Sequence, residues 1–274
     1  MSKTWFITGT SRGFGREWAV AALERGDQVV ATARDASRLD DLTARFGEQL
    51  LALTLDVDDK AAVETAVAQA VERFGRIDVA VNNAGYGQFG MVEEVTEAEA
   101  RAQFETNVFG ALWVTQAVLP VMRTQGGGHV LQVSSIGGIS AFPNIGLYNA
   151  SKWALEGFSQ SLAAEVADFG IKVTLIEPGG FSTDWGGASA KHAAPLPAYD
   201  AFREKAAEAR RTRMASPGDP SASAAAVLEL VDAPNPPLRV FFGTAPLGIA
   251  TADYESRLAE WKRWQHLSEL SQGS

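Results

Sequence analysis

Short, almost wholly apolar runs alternate along this chain with longer segments in which apolar residues recur every three or four positions. The runs lie at residues 5–8, 28–33, 50–57, 78–83, 129–135, 172–178 and 238–243. They lack a strict in–out alternation, which is the mark of strands covered on both faces in a parallel sheet. The segments between them read as helices. Residues 15–26 and 60–75 each stop at a glycine, a common helix terminator. Residues 96–122 open with Thr96 followed three positions later by Glu99, a capping-box pattern, and Pro120 is expected to end or kink that helix. Residues 148–170 form a further long helical stretch. Repeated strand–helix order implies an α/β chain with a doubly wound, mostly parallel, seven-stranded sheet, helices on both faces and right-handed crossovers.

The rhythm breaks between residues 185 and 220. Ala, Gly, Ser and Pro there surround one charged helical piece, which reads as an insertion over the ligand edge of the sheet. Residues 250–272 read as an amphipathic helical extension carrying Trp261 and Trp264. With no internal repeat and no second compositional regime, residues 1–274 read as one domain.

Composition removes several chemistries. The net charge of −9 argues against nucleic acid or an anionic membrane as partner. There is no cysteine, so disulfides, thiolate catalysis and cysteine-held zinc are excluded. The three histidines, His129, His192 and His266, are far apart and read as isolated surface or loop residues, so no metal site is expected. No secretory signal and no apolar run long enough to span a bilayer is evident, and a cytoplasmic location is expected.

The first apolar run leads into Thr-Gly-Thr-Ser-Arg-Gly-Phe-Gly at residues 8–15. Glycines at 9, 13 and 15 between a first strand and a first helix suit a turn that brings peptide N–H groups up to a pyrophosphate. The same residues also suit a plain tight turn. The second run ends at Arg34, where a dinucleotide fold places the group that reads the adenosine ribose, and Arg12 sits within the glycine turn. Two cations there favour NADP(H) over NAD(H) if they meet a 2′-phosphate, and are ordinary surface charges if they do not. Asp35 next door would favour the unphosphorylated ribose.

Further along, Asn-Asn-Ala-Gly (82–85) ends the fourth run, Asn-Val-Phe-Gly (107–110) lies in the long helix, and Ser-Ser-Ile-Gly-Gly (134–138) ends the fifth run. Tyr148 and Lys152 are one helical turn apart and share a face. An ammonium beside a phenol is expected to lower the phenol pKa from about 10 toward neutrality. Ser135, at a strand end, can donate to a substrate oxygen.

Taken in order, these stretches, with Leu55–Asp56–Val57 and Glu177–Pro178–Gly179–Gly180, resemble those of the short-chain dehydrogenase/reductase family over about residues 3–185. The resemblance implies a Rossmann-type fold and hydride transfer between nicotinamide and a carbonyl or secondary alcohol. It implies that Tyr148 is the acid/base, Lys152 its activator, Ser135 the residue orienting the carbonyl, and Asn107 the anchor of a relay water. It implies cofactor contacts from Gly9, Ser11, Arg12, Gly13, Phe14, Gly15, Arg34, Asp56, Val57, Asn83, Ala84, Gly85, Pro178, Gly179 and Thr183, besides Tyr148 and Lys152. The doubled glycine at 179–180 departs slightly from the family pattern. Tyr86, Phe89, Phe142, Pro143, Phe181 and Trp185 either line an apolar substrate pocket, suited to a hydrophobic ketone, aldehyde or alcohol, or pack the insertion onto the sheet. Family members are commonly homodimers or homotetramers joined through long helices, and the apolar face of 153–166 suits that or a core role equally. A redox-inactive dinucleotide sensor, or an epimerase or dehydratase that retains its nicotinamide, would keep much of this pattern. The intact Ser, Tyr and Lys set weighs against the first, and the chain length with Asn-Asn-Ala-Gly against the second.

Overall fold

A computed structural model describes residues 2–213 and 216–273. In chain order the elements are β1 (Thr4–Thr8), α1 (Gly13–Glu24), β2 (Gln28–Ala33), α2 (Asp40–Phe46), β3 (Leu50–Thr54), α3 (Lys60–Phe74), β4 (Val79–Asn82), β5 (Gln88–Phe89) and α4 (Glu97–Phe104). A π-helical turn (Glu105–Gly110) follows, then α5 (Ala111–Thr124), β6 (Gly128–Val133), α6 (Gly146–Glu165), β7 (Ile171–Pro178) and β8 (Lys191–His192). The chain continues with α7 (Asp200–Arg213), α8 (Ser223–Asp232), β9 (Arg239–Phe242), α9 (Pro246–Arg263) and α10 (Gln265–Gln272).

Seven strands form one sheet in the order β3-β2-β1-β4-β6-β7-β9, every neighbouring pair parallel. All seven expected strands are present, and the sheet is Rossmann-like. Alternate β1 side chains point to opposite faces, so Trp5 and Ile7 enter one core and Phe6 the other. Both cores are built from fully buried apolar side chains, which is why these strands carry no polar face. The order reverses direction at β1, with β2 on one side and β4 on the other, and the crevice at such a switch point is where these sheets take ligands.

Local chemistry sets the helix ends. Asp59 caps α3 by accepting from the Ala62 N–H at 3.0 Å, and Gly75 closes it in the left-handed region. The capping box of Thr96 and Glu99 forms as expected. Pro120 does not end its helix, which runs on to Thr124. Both Pro120 and Gln116, whose carbonyl a proline at that position cannot satisfy, are exposed, so water can take the place of the missing bond. The run at 50–57 leaves the sheet after Thr54. His129 is buried, not a surface or loop residue. It stands within β6, with Nε2 2.9 Å from Thr174 Oγ1, and burial holds its pKa down at about 3.

The inserted segment is tied to the body by a two-residue parallel pair, Gln88 with Lys191 and Phe89 with His192. Arg203 of α7 also grips Glu94, at 3.0 Å to Oε2 and 2.6 Å to Oε1. Among the described residues no helix is long and apolar enough to cross a membrane, and no group of three or more His, Asp or Glu could hold a metal.

Candidate active site

The glycine turn sits at the switch point, and its glycines answer to close packing. Gly9 and Gly13 have φ of 71° and 59°, the left-handed region that favours glycine. A Cβ on Gly9 would come within 3.0 Å of Ala84 Cα. One on Gly15 would come within 2.5 Å of Asn83 Nδ2 and 2.6 Å of the Gly9 carbonyl oxygen. Asn83 braces this turn by donating to Thr8 O at 2.9 Å and Gly9 O at 3.0 Å, while the Thr8 hydroxyl accepts from the N–H groups of Asn83 and Ala84. Phe14 points its ring away into an aromatic stack with Trp18 (5.2 Å) and Phe181 (4.9 Å). Phe181, half-buried, thereby packs against the core. No side chain caps the start of α1, which leaves its first N–H groups open beside Ser11, Arg12 and Gly13.

Arg34 is exposed at the end of β2, and its charge acts on Asp58 and Tyr86. Asp35 is turned to its own loop. It accepts from the Ser37 N–H and hydroxyl at 3.1 and 2.7 Å, which holds its carboxyl below the usual range. Asp56 accepts from the Asp58 N–H, and Val57 is buried against the π-helical turn, where a Cβ on Gly110 would meet it at 2.6 Å. Asn107, within that turn, is buried. It accepts from the Tyr86 N–H at 3.1 Å and donates to Tyr86 O and Ser151 Oγ at 3.0 and 3.1 Å. A Cβ on Gly85 would lie 3.0 Å from Asn107 Oδ1 and 3.8 Å from Lys152 Nζ, so Gly85 leaves those two groups adjacent. At the end of β7, the Gly179 N–H donates to Phe242 O at 2.9 Å, Pro178 is buried, and the Thr183 side chain reaches within 3.9 Å of the place a Cβ on Gly13 would occupy.

The expected chemistry converges at the start of α6. Tyr148 and Lys152 are both buried, and the Ser135 hydroxyl lies beside the tyrosine ring: a Cβ on Gly137 would stand 3.3 Å from Ser135 Oγ and 3.4 Å from Tyr148 Cε1. Ser135 is held in place by the Gly137 N–H, which donates to its Oγ at 2.9 Å. The Lys152 ammonium donates to Val133 O at 2.7 Å and lies 5.8 Å from the centre of the Tyr148 ring. The expectation that the ammonium would bring the phenol toward neutrality is not met. Burial pushes Tyr148 up to about 12, and Ser135 opposes this only in part. Burial likewise pulls Lys152 down to about 8, against the pull of Glu156. The reason is geometric: the ammonium is engaged by a strand carbonyl, and desolvation governs both groups.

The aromatic candidates separate. Trp185 packs directly on Tyr148, with ring centres 4.8 Å apart, and on Phe89 at 5.4 Å. Tyr86 lies under Lys191, 4.6 Å from its ring centre. Phe142 and Pro143 line a cavity of about 990 Å³ with Met91, Val92, Asn149, Trp153 and Tyr199. Two features went unread in the sequence. Glu156, one turn beyond Lys152, is buried with Glu177 against Arg239, at 2.9 and 3.5 Å; burial raises both acids above their ordinary range, and the Glu156 charge adds to this at Glu177. Its i+4 spacing after Lys152 was the available signal. Arg12 forms an ion pair with Asp184 from the loop after β7, a contact that local sequence does not encode.

The short chain dehydrogenase family model matches residues 3–194. An oxidoreductase of Botryotinia fuckeliana is 43% identical over 273 residues, covering 99% of this chain and all of that one. The crystal structure of a short-chain dehydrogenase from Streptomyces avermitilis superposes with a TM-score of 0.91 at 42% identity, covering 98% of both chains. An alcohol dehydrogenase of the archaeon Thermococcus sibiricus, complexed with 5-hydroxy-NADP, is 28% identical with a TM-score of 0.75 over 90% of this chain and 98% of that one. A 3-ketoacyl-(acyl-carrier-protein) reductase from Brucella melitensis, complexed with NADH, is 27% identical with a TM-score of 0.73 over 88% of this chain and 97% of that one. Fold, motif order and full-length relatives agree, and the chain belongs to the short-chain dehydrogenase/reductase family as an oxidoreductase of the CH–OH/C=O couple.

Proposed function

We propose that the protein is an NADP(H)-preferring oxidoreductase that interconverts a hydrophobic ketone or aldehyde and its alcohol. The observation that carries this reading is the buried Tyr148 beside the Ser135 hydroxyl with Lys152 one turn along, together with a glycine turn packed too closely at Gly9 and Gly15 for a side chain. Gly9, Ser11, Gly13 and Gly15 would hold the pyrophosphate, aided by the open N–H groups of α1, and Arg12, ion-paired with Asp184 in the free protein, would turn with Arg34 to the 2′-phosphate. Asp56 and Val57 would face the adenine, and Pro178, Gly179 and Thr183 the nicotinamide. Arg34 supports NADP(H), because it is exposed at the ribose position while Asp35 is occupied by Ser37. When bound, the nicotinamide supplies or accepts the hydride.

Tyr148 holds a proton across the whole physiological range, as a donor to a carbonyl oxygen must. Its hydroxyl and that of Ser135 would hydrogen-bond the oxygen as negative charge develops there, the usual source of the largest catalytic contribution. Lys152 would return charge and proton to Tyr148, with Asn107 fixing the adjacent backbone of Tyr86. Trp185 and Phe89 would form an apolar wall beside the reacting group, and the cavity lined in part by Asn149 would take the rest of a bulky substrate. Residues 1–274 would act as one cytoplasmic catalytic domain, with the segment at about 185–220 as its substrate loop.

The test is a spectrophotometric screen of NADPH and NADH against a panel of carbonyls and alcohols. Net oxidation of NADPH by apolar ketones or aldehydes is the expected result. Absence of any net redox turnover, or a preference for small charged acids, would contradict the reading.

A further inference from the structure

Among the described residues, seven of the thirteen exposed large hydrophobic side chains fall on α9, α10 and the residue joining them: Leu247, Tyr254, Leu258, Trp261, Trp264, Leu267 and Leu270. Leu247, Tyr254, Leu258 and Trp261 are spaced by seven, four and three, which places them on one stripe of α9. The body holds only the first part of this helix. Pro246 and Ala250 are buried, Asp253 accepts from Ser140 Oγ at 3.1 Å, and Arg257 donates to Ile139 O at 3.2 Å. From Leu258 to Gly273 every residue is exposed. A helical segment of that length is marginal in water without a packed face, and stability usually comes from burying such a stripe.

The charges flanking the stripe point to its occupant. Glu255 lies on the N-terminal side of Leu258 and Lys262 on the C-terminal side, and, seven positions apart, the two share one flank of the stripe. A helix with this polarity complements itself when a second copy lies antiparallel. The geometry points to a two-fold homodimer contact formed by α9 of two copies of this chain, crossing at Leu258. In that pairing Tyr254 packs against Trp261 of the second copy, and Glu255 meets the turn carrying Lys262. Each contact occurs twice, as an isologous interface requires. Aromatic and long aliphatic groups at the centre with opposite charges at the rim is the ordinary anatomy of such a surface. An anionic membrane fits less well, because Glu255, Glu260 and Glu269 share the exposed surface with the basic residues and the chain carries a net charge of −9.

Sedimentation velocity at micromolar concentration tests this. The wild-type chain is expected to sediment as a dimer or a larger even assembly, and Leu258→Glu to halve the mass while far-UV circular dichroism and the melting temperature stay unchanged. Glu255→Lys and Lys262→Glu alone should each weaken association at least tenfold, and the double exchange should restore it to within about threefold. A monomeric wild type overturns the proposal, as do a mass indifferent to Leu258→Glu and a double exchange that recovers nothing. A monomer that floats with phosphatidylglycerol vesicles overturns it in favour of a lipid surface.

Discussion

Gly15→Ala and Gly157→Ala make the same chemical change and should act in opposite directions. A Cβ on Gly15 would stand 2.5 Å from Asn83 Nδ2 and 2.6 Å from the Gly9 carbonyl oxygen, whereas ordinary contact begins at 3.4 Å. Asn83 cannot retreat without losing its bonds to Thr8 O and Gly9 O, and Gly9 is itself pinned against Ala84. Overpacking of this kind costs about 1–3 kcal/mol, and one lost hydrogen bond adds about 1 kcal/mol. A total of about 3 kcal/mol corresponds to a melting temperature roughly 6–12 °C lower for a domain of this size. Gly157 sits on the exposed face of α6 with nothing within 4 Å of its would-be Cβ, so alanine there should stabilise by about 0.5–1 kcal/mol. Differential scanning fluorimetry gives the two melting shifts, and calorimetric titration with NADPH gives the affinities. Gly15→Ala should also weaken NADPH at least tenfold, because the displaced atoms form the turn itself, while Gly157→Ala should leave binding unchanged. A Gly15→Ala protein that melts within 2 °C of wild type and binds NADPH normally would refute the close packing at this turn.

Carbonyl reduction should fall as pH rises through about 8, because Lys152 loses its charge there while Tyr148 stays protonated; a flat rate to pH 10 would oppose this. Arg34→Ala should weaken NADPH about 10- to 100-fold more than NADH, the value of one charged hydrogen-bonding partner, and equal losses would remove the phosphate role. His129 is buried with its pKa depressed from 6.5 to about 3, so stability should be lost as pH falls through that window. At pH 5 the loss is about 2 kcal/mol, and His129→Asn should flatten the dependence in urea titrations between pH 7 and 5.

The inner strands were legible because they are buried on both faces and so carry no polar alternation, and the half-buried edge strands β3 and β9 by their apolar runs. The glycine turn was legible because close approach leaves no residue but glycine at positions 9 and 15. Tyr148, Lys152 and Ser135 were legible through their spacing, but their protonation was not. It depends on depth of burial and on where the ammonium points, and the ammonium points to Val133 O, a residue from another element. His129 was misjudged for the same reason: one polar residue in an apolar run is ambiguous until Thr174 on the neighbouring strand is known to receive it. Phe142, Phe181 and Trp185 look alike in sequence, yet they enter a side cavity, the core and the Tyr148 contact respectively. Which of these each joins is set by contacts across more than thirty residues.

The most direct measurement is single-turnover reduction of a ketone by Tyr148→Phe with NADPH, read at 340 nm alongside NADPH affinity. The hydroxyl alone is removed, so the buried ring and its contact with Trp185 remain. Loss of a positioned proton donor should slow the chemical step by at least 10²- to 10⁴-fold, with cofactor affinity within about threefold of wild type. A variant that keeps most of its turnover would contradict the assignment of Tyr148 as the proton donor.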